Sequence, residues 1–264
     1  MAEIKPRDRS QNSDFIKFLG TAGARFVMIK QLRSSGGIWI SSKGMNLLVD
    51  PGPGSIVRCS TSRPKLDPSK LDGIILTHCH LDHSGDINVM IEAMTGGGFK
   101  KRGLVFCSKD AIGQDAVILK YVRVLPERIE VLEGNKTYRI GKFAFRTSMR
   151  HVHTVETYGL KFKMKDTNVA ILADTRYFKG LADSYNKTDL LIMCVAFLKP
   201  LAGIDHLSLI DAEALIREIK PKKVILTHFG MTMLKAKPHI QAQKLTKSLG
   251  IEVIAAYDGM AVNF

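Results

Sequence analysis

The chain has 264 residues, of which 45% are hydrophobic and 24% are charged, and lysine and arginine outnumber the acids by 39 to 25. A chain of this length can bury a full core, and it contains no apolar run long enough for a membrane-spanning helix. The net charge of +14 favours anionic partners, either nucleic acid or a small phosphate ester.

The polar N-terminus predicts a flexible leader over residues 1–14 and a single domain over residues 15–264, since no Pro/Gly/Ser-rich linker divides the remainder. The four cysteines lie far apart without a CxxC motif, which is typical of free thiols in a reducing compartment. Together with the lack of a secretory signal, this predicts a cytoplasmic protein without membrane association. The sequence is compatible with either a monomer or a homodimer.

Short runs rich in Val, Ile and Phe, bounded by Gly, Pro, Asp and Lys, predict strands along the whole chain. They lie at residues 15–18, 38–40, 47–49, 74–76, 104–106, 143–145, 159–164, 169–172, 190–195, 224–226 and 253–256. Helical periodicity is found at 86–94, 114–122, 209–219 and 240–249, the third after Ser208 as N-cap with Asp211 three residues on. Many strands with interspersed helices predict a layered α/β sandwich.

The densest group of metal-ligating residue types follows the strand at 74–76. Residues 77–85 have the sequence Thr-His-Cys-His-Leu-Asp-His-Ser-Gly, which places His78, His80, Asp82 and His83 within six residues. Adjacent imidazoles are hard to bury without a cation, because both nitrogens of each ring need partners. The segment therefore predicts a divalent metal site, with Cys79 directed away from it as a packing residue.

A second apolar strand is followed by a histidine in the same way. Residues 74–78 and 224–228 both consist of an apolar strand ending in Leu-Thr-His. The repeat predicts that two halves of the protein each deliver a histidine, His78 and His228, to one site.

The HxHxDH segment, together with isolated His and Asp residues further on, resembles the metallo-β-lactamase superfamily. The resemblance extends over nearly the whole chain, in segments 18–23, 34–37, 47–52, 78–83, 153–159, 172–175, 206–208 and 226–230. It implies an αββα sandwich of two facing mixed sheets flanked by helices, with the site at one edge of the sheets.

The resemblance also implies two divalent ions, with zinc first and manganese or iron compatible with the same ligand types. His78, His80 and His153 would hold one ion; Asp82, His83 and His228 would hold the other. Asp174 would bridge them, and Asp50 would orient a ligand imidazole. The segment that follows His153 favours it over His151 as the ligand. In such a site, a hydroxide bridging the two metals attacks the substrate, and Asp82 takes part in catalysis as well as in metal binding.

His206 indicates the branch of the family. It stands in a His-x-Ser segment 22 residues before His228 (228 − 206), as in the phosphodiesterase branch that includes the tRNA 3′-processing endonucleases. There this histidine contacts the scissile phosphate and aids the leaving group, which makes His206 a predicted catalytic residue of a phosphodiesterase or nuclease.

Two departures argue against a tRNA processor. Only 21 positions separate His153 from Asp174 (174 − 153), which leaves no room for a tRNA-gripping arm. Residues 193–196 are Met-Cys-Val-Ala where the family has His-Glu-Ala-Thr, so the glutamate that pairs with the general-acid histidine in the family is missing. A carboxylic ester, lactone or thioester hydrolase on the same metal core is the alternative. A non-hydrolytic binding protein is disfavoured, because such relatives lose ligands and every ligand position is occupied here.

Overall fold

The computed structural model describes residues 14–264. The predicted leader over residues 1–14 lies outside the described residues except for Asp14, whose carboxylate accepts hydrogen bonds from the Ser42 hydroxyl and the Lys43 backbone amide. Within residues 14–264, no helix has both the length and the apolar composition that crossing a membrane requires.

The first sheet has seven strands in the order β14-β1-β2-β3-β4-β5-β6. These strands are β1 (Phe15–Phe18), β2 (Ile38–Ser42), β3 (Met45–Val49), β4 (Gly73–Leu76), β5 (Leu104–Cys107), β6 (Arg128–Val131) and β14 (Ala261–Asn263). β3 to β6 run parallel, and β14, β1 and β2 pair antiparallel.

The second sheet also has seven strands, in the order β13-β12-β11-β10-β9-β8-β7. They are β7 (Thr137–Ile140), β8 (Phe143–Arg150), β9 (Tyr158–Met164), β10 (Thr167–Leu172), β11 (Leu190–Cys194), β12 (Lys223–Thr227) and β13 (Glu252–Ala255). β10 to β13 run parallel and the others pair antiparallel. Both sheets are therefore mixed, as the αββα prediction requires.

Within residues 14–264, seven α-helices and three short 3-10 turns connect the strands. The helices are α1 (Ala24–Ile29), α2 (Ser55–Thr61), α3 (Leu81–Ser84), α4 (Ile87–Met94), α5 (Leu209–Ile219), α6 (Met231–Lys235) and α7 (Pro238–Leu249). The capping box predicted for α5 is present: the Ser208 hydroxyl accepts a bond from the Asp211 amide, and the Asp211 carboxylate accepts one from the Ser208 amide.

Three apolar clusters show the layers. One lies between the sheets and joins Ile75 of β4 to Ile171 and Ile192 of the second sheet. A second packs Ile74 and the outer face of the first sheet against α4, and a third packs the outer face of the second sheet against α5 and α7. Because parallel strands in such layers are covered on both faces, β4 is apolar throughout. The αββα sandwich is confirmed.

The helix predicted at residues 114–122 is wrong. This segment consists of turns, and two of its backbone groups bond to α4: the Asn88 side chain donates to the Val117 carbonyl and accepts from the Leu119 amide. Only Ile118 and Val122 are buried, which produced the helical spacing. Strands β6, β7 and β14 were not predicted; β6 and β14 are partly exposed and β7 alternates buried and exposed residues.

The segment between His153 and Asp174 is a single hairpin. β9 and β10 pair antiparallel, with Met164 opposite Thr167, so that two residues form the turn. The sequence prediction that no arm is inserted here is confirmed.

Candidate metal centre

The predicted metal ligands come together where strands of both sheets end. Asp50 follows β3 and the 78–83 segment follows β4 in the first sheet, while Asp174 follows β10 and His228 follows β12 in the second. The carboxyl ends of parallel strands meet at one edge of a sheet, which is where α/β folds place their sites. His153 reaches the same edge from the loop between β8 and β9.

The first donor set consists of His78, His80 and His153, each of which offers a nitrogen within 4.8 Å of the others. His153 Nε2 lies 3.1 Å from His80 Nδ1. The rings of His78 and His153 are nearly perpendicular, with centroids 5.1 Å apart. This arrangement brings three nitrogen donors close together. These three histidines are the set that the resemblance implies for one ion.

The second set consists of Asp82, His83 and His228. His83 Nε2 lies 2.9 Å from His228 Nε2, and Asp82 Oδ2 lies 3.2 Å from the same His228 nitrogen. Although burial opposes ionisation, the imidazoles of His83 and His228 hold the pKa of the Asp82 carboxyl below its usual range. The carboxylate is therefore ionised and available as a donor.

Asp174 lies between the two sets and is 2% exposed. Its Oδ2 is 3.7 Å from His78 Nε2 and 3.3 Å from His83 Nε2, and its Oδ1 is 3.4 Å from His228 Nδ1. One carboxylate thus faces histidines of both sets, which is the placement that a bridging ligand needs.

Hydrogen bonds behind the rings leave lone pairs pointing into the cluster. His83 Nδ1 donates to the Asp50 carboxylate at 3.0 Å, and His153 Nδ1 donates to the Asp205 carbonyl at 2.8 Å. The Thr77 hydroxyl donates to Asp50 and contacts His78 Nδ1 at 3.0 Å. Fixing the proton on Nδ1 leaves Nε2 as a bare donor, the arrangement usual for metal-ligating histidines.

Several buried polar atoms of the cluster have no hydrogen-bond partner among the described residues. They are His78 Nε2, both carboxylate oxygens of Asp174 and His228 Nδ1. Buried polar atoms without partners are costly, and a divalent cation satisfies imidazole nitrogens and carboxylate oxygens together. The donor set therefore fits a divalent metal ion.

The chain at Gly23 lies close against His228, the last of the candidate ligands. His228 has a φ of +62°, in the left-handed region. A Cβ on Gly23 would lie 2.1 Å from the His228 carbonyl oxygen and 2.4 Å from its Nδ1. Only glycine at position 23 lets this loop lie against the ligand.

His206 stands beside the cluster without belonging to either three-residue set above. Its Nδ1 is 3.4 Å from Asp174 Oδ2, its side chain is 17% exposed, and its ring centroid lies 5.1 Å from that of His153. Burial lowers the pKa of its imidazole to about 4, while the Asp174 carboxylate acts in the opposite direction. The carboxylate of the preceding residue, Asp205, lies 3.7 Å from Arg176 Nε.

The other two histidines lie away from the donor sets. His151 is buried, and its nitrogens contact the Asp174 carbonyl at 3.1 Å and the Tyr185 hydroxyl at 2.7 Å, so neither is free for a metal. His239 is exposed on α7. Cys79 packs against the apolar cluster under α4, as predicted.

Sequence reasoning missed Cys194. Its sulfur lies within 4.8 Å of donor atoms of Asp174 and His228, whereas the sequence pattern indicates only that the glutamate of the family's His-Glu-Ala-Thr segment is replaced there. Burial, followed by the nearby carboxylates of Asp174 and Asp50, raises the pKa of its thiol. The signal available in the sequence was its place at the end of the apolar strand predicted at residues 190–195, just as Asp174 follows the one predicted at 169–172.

Two facing mixed sheets with a His/Asp cluster at one edge define a metallo-hydrolase of the β-lactamase superfamily. The profile of the "Beta-lactamase superfamily domain" matches residues 45–229, so the chain belongs to this superfamily.

Individual relatives agree with this assignment. An uncharacterised protein of Methanocaldococcus jannaschii is 30% identical over 257 residues, which are 94% of each chain. The metallo-beta-lactamase fold protein YhfI of Bacillus subtilis superposes with a TM-score of 0.79 at 20% identity, over 96% of this chain and 100% of that one. The short form of human tRNase Z gives a TM-score of 0.66 at 17% identity, over 94% and 98% of the two chains.

Proposed function

We propose that the protein is a binuclear metal-dependent phosphodiesterase. Two divalent ions, with zinc as the first candidate, would be held by the two donor sets and bridged by Asp174. The substrate would be a phosphodiester, either in RNA or DNA or in a small cyclic nucleotide-like ester.

The position of His206 carries the proposal. This imidazole adjoins Asp174 and a histidine of each donor set while keeping part of its side chain exposed. A substrate group that reaches the cluster would therefore lie against it. Burial disfavours the protonated ring, and the negative charge of a phosphodiester would favour it. His206 would then stabilise phosphate charge and donate a proton to the leaving oxygen.

The ions would supply a water activated near neutral pH and would polarise the phosphoryl oxygen. Asp82 holds its carboxylate toward the His83–His228 pair and has a 14% exposed side chain, against 1% for Asp174. It can thus serve both as a ligand and as the hydrogen-bond acceptor that orients the attacking water. Asp50 would keep His83 in the donor tautomer.

The net charge of the protein and its structural similarity to a tRNase support an anionic substrate. The net charge of +14 attracts polyanions, and the short form of human tRNase Z, named for its action on tRNA, shares the fold. The two-residue turn between β9 and β10 leaves no arm in that segment to grip a tRNA. We therefore do not propose tRNA processing.

Hydrolysis of bis(p-nitrophenyl) phosphate by zinc- or manganese-loaded protein tests the proposal. Replacing the imidazole in His206→Ala should lower turnover about 100- to 10,000-fold, the usual contribution of a general acid. Metal content should stay unchanged, because both donor sets remain. His239→Ala is the matched control, since it removes an exposed histidine on α7.

Absence of phosphodiester hydrolysis by fully loaded wild-type protein would contradict the proposal. A lactone and a thioester assayed in parallel address the alternative: hydrolysis of these substrates that is indifferent to His206→Ala would assign the carboxylic ester chemistry instead.

A further inference from the structure

Cys194 ends β11, the strand between those that lead to two of the proposed ligands. In the parallel register Cys194 pairs with Thr227, the residue before His228. Met193 pairs with Leu172, which places Cys194 level with Ala173, the residue before Asp174. Three adjacent strands thus deliver a thiol, a carboxylate and an imidazole to the same edge.

The thiol faces the interior of the sandwich beneath the cluster. Side chains alternate along β11: Ile192 belongs to the cluster between the sheets and Met193 to the one under the helices. Cys194 therefore takes the inter-sheet side. It lines a cavity of about 40 Å³ together with Asp50, Asp82, His83 and His228. Such a space has room for one ion or a few waters.

Sulfur, carboxylate oxygen and imidazole nitrogen lie within 4.8 Å of one another at this point. Both partners of the thiol are more than nine-tenths buried, Asp174 at 2% exposure and His228 at 5%. The two Asp174 oxygens and His228 Nδ1 lack hydrogen-bond partners among the described residues. The cysteine therefore lies against unpartnered donors that a cation would satisfy.

We propose that Cys194 is an additional, sulfur ligand of the metal centre, binding an ion that it shares with Asp174 and His228. A coordinating thiol is deprotonated, so its proton passes to solvent as the metal binds. Thiolate is a soft ligand that favours zinc and similar transition metals over manganese or magnesium. The inference rests on the metal centre of the proposed function and is independent of the phosphodiesterase reaction.

Cobalt(II) substitution tests this directly, because a thiolate bound to cobalt(II) produces a sulfur-to-metal charge-transfer band that nitrogen and oxygen ligands do not. We expect the band in cobalt-loaded wild-type protein and in Cys79→Ser, the matched control with a thiol between two proposed ligands. It should be lost in Cys194→Ser. X-ray absorption of zinc-loaded wild-type protein should show a sulfur neighbour at about 2.3 Å.

Cobalt uptake without the band would overturn the inference and leave the proposed function standing, as would a band that persists in Cys194→Ser or is lost in Cys79→Ser. Failure to take up any divalent metal would contradict the proposed function as well. Since the spectra of the wild type and of Cys79→Ser together exclude Cys79 as the source of the band, the test holds even if Cys194→Ser does not fold. The preference for zinc over manganese should fall about tenfold or more in a folded Cys194→Ser protein.

Discussion

The Asp50 carboxylate accepts the Nδ1 hydrogen of His83 at 3.0 Å, although the two residues lie 33 positions apart. The same carboxylate accepts bonds from the backbone amide and the hydroxyl of Thr77, at 2.7 and 2.8 Å. Asp50 itself has a φ of +52°, so the chain turns sharply just after β3 to present it. One side chain therefore orients the start and the end of the 78–83 segment.

Replacing this carboxylate in Asp50→Asn should weaken zinc affinity about 10- to 100-fold, the usual cost of losing a partner behind a ligand histidine. The amide cannot hold the His83 proton as a charged acceptor does. A competition titration against a chromophoric chelator measures the change. Asp166→Asn, an exposed substitution in the β9–β10 turn, is the control, and equal affinities in the two variants would contradict the role of Asp50.

Replacing the central carboxylate in Asp174→Asn should reduce the metal content below the proposed two ions per chain. The reason is that Asp174 faces histidines of both donor sets, at 3.3 to 3.7 Å. Metal analysis after dialysis, on protein shown by circular dichroism to be folded, measures the effect. Full loading of this variant would refute the bridging role.

Adding one methyl group in Gly23→Ala should displace the His228 loop. The new Cβ would lie 2.1 Å from the His228 carbonyl oxygen, so the backbone must shift, at a cost of about 1–3 kcal/mol in the free energy of unfolding and with a loss of zinc affinity. Urea unfolding and zinc titration measure both. Gly134→Ala provides the comparison, because its Cβ would meet no atom closer than 3.5 Å; similar losses in both variants would count against the prediction.

The stability of the protein should depend on Cys59 at alkaline pH. Burial, with a contribution from Asp86, raises the pKa of this thiol from 9.0 to about 12. Between these values the unfolded chain gives up the proton and the folded protein retains it, so the free energy of unfolding falls as pH rises, by roughly 1.4 kcal/mol per pH unit. Below pH 9.0 the contribution is fully present.

Cys59→Ala should remove this slope, so that its unfolding free energy falls less steeply with alkaline pH than that of the wild type. Urea unfolding over a pH series measures the difference. Ser60→Ala, on the exposed side of the same helix, should follow the wild-type curve. Parallel curves for the wild type and Cys59→Ala would contradict the prediction.

Much of the fold was predictable because its signals are local. Buried strands such as β4 are apolar throughout, and α5 is preceded by a complete capping box. The errors occurred where long-range contacts overrule local pattern. Residues 114–122 have helical spacing, but the Asn88 side chain takes the backbone groups that a helix would need.

The sequence by itself determined that metal-ligating residue types are concentrated in one place, because four of them lie within six residues after one strand, and the resemblance indicated the other candidate ligands. Only the tertiary structure decided which atoms face inward. It showed that His151 is bound on both nitrogens whereas His153 turns Nε2 to the cluster, and that a thiol on β11 lies beside Asp174. The physical reason is that ligand identity is a property of the chain, whereas the direction of a lone pair depends on hydrogen bonds and strand registers between residues far apart in sequence.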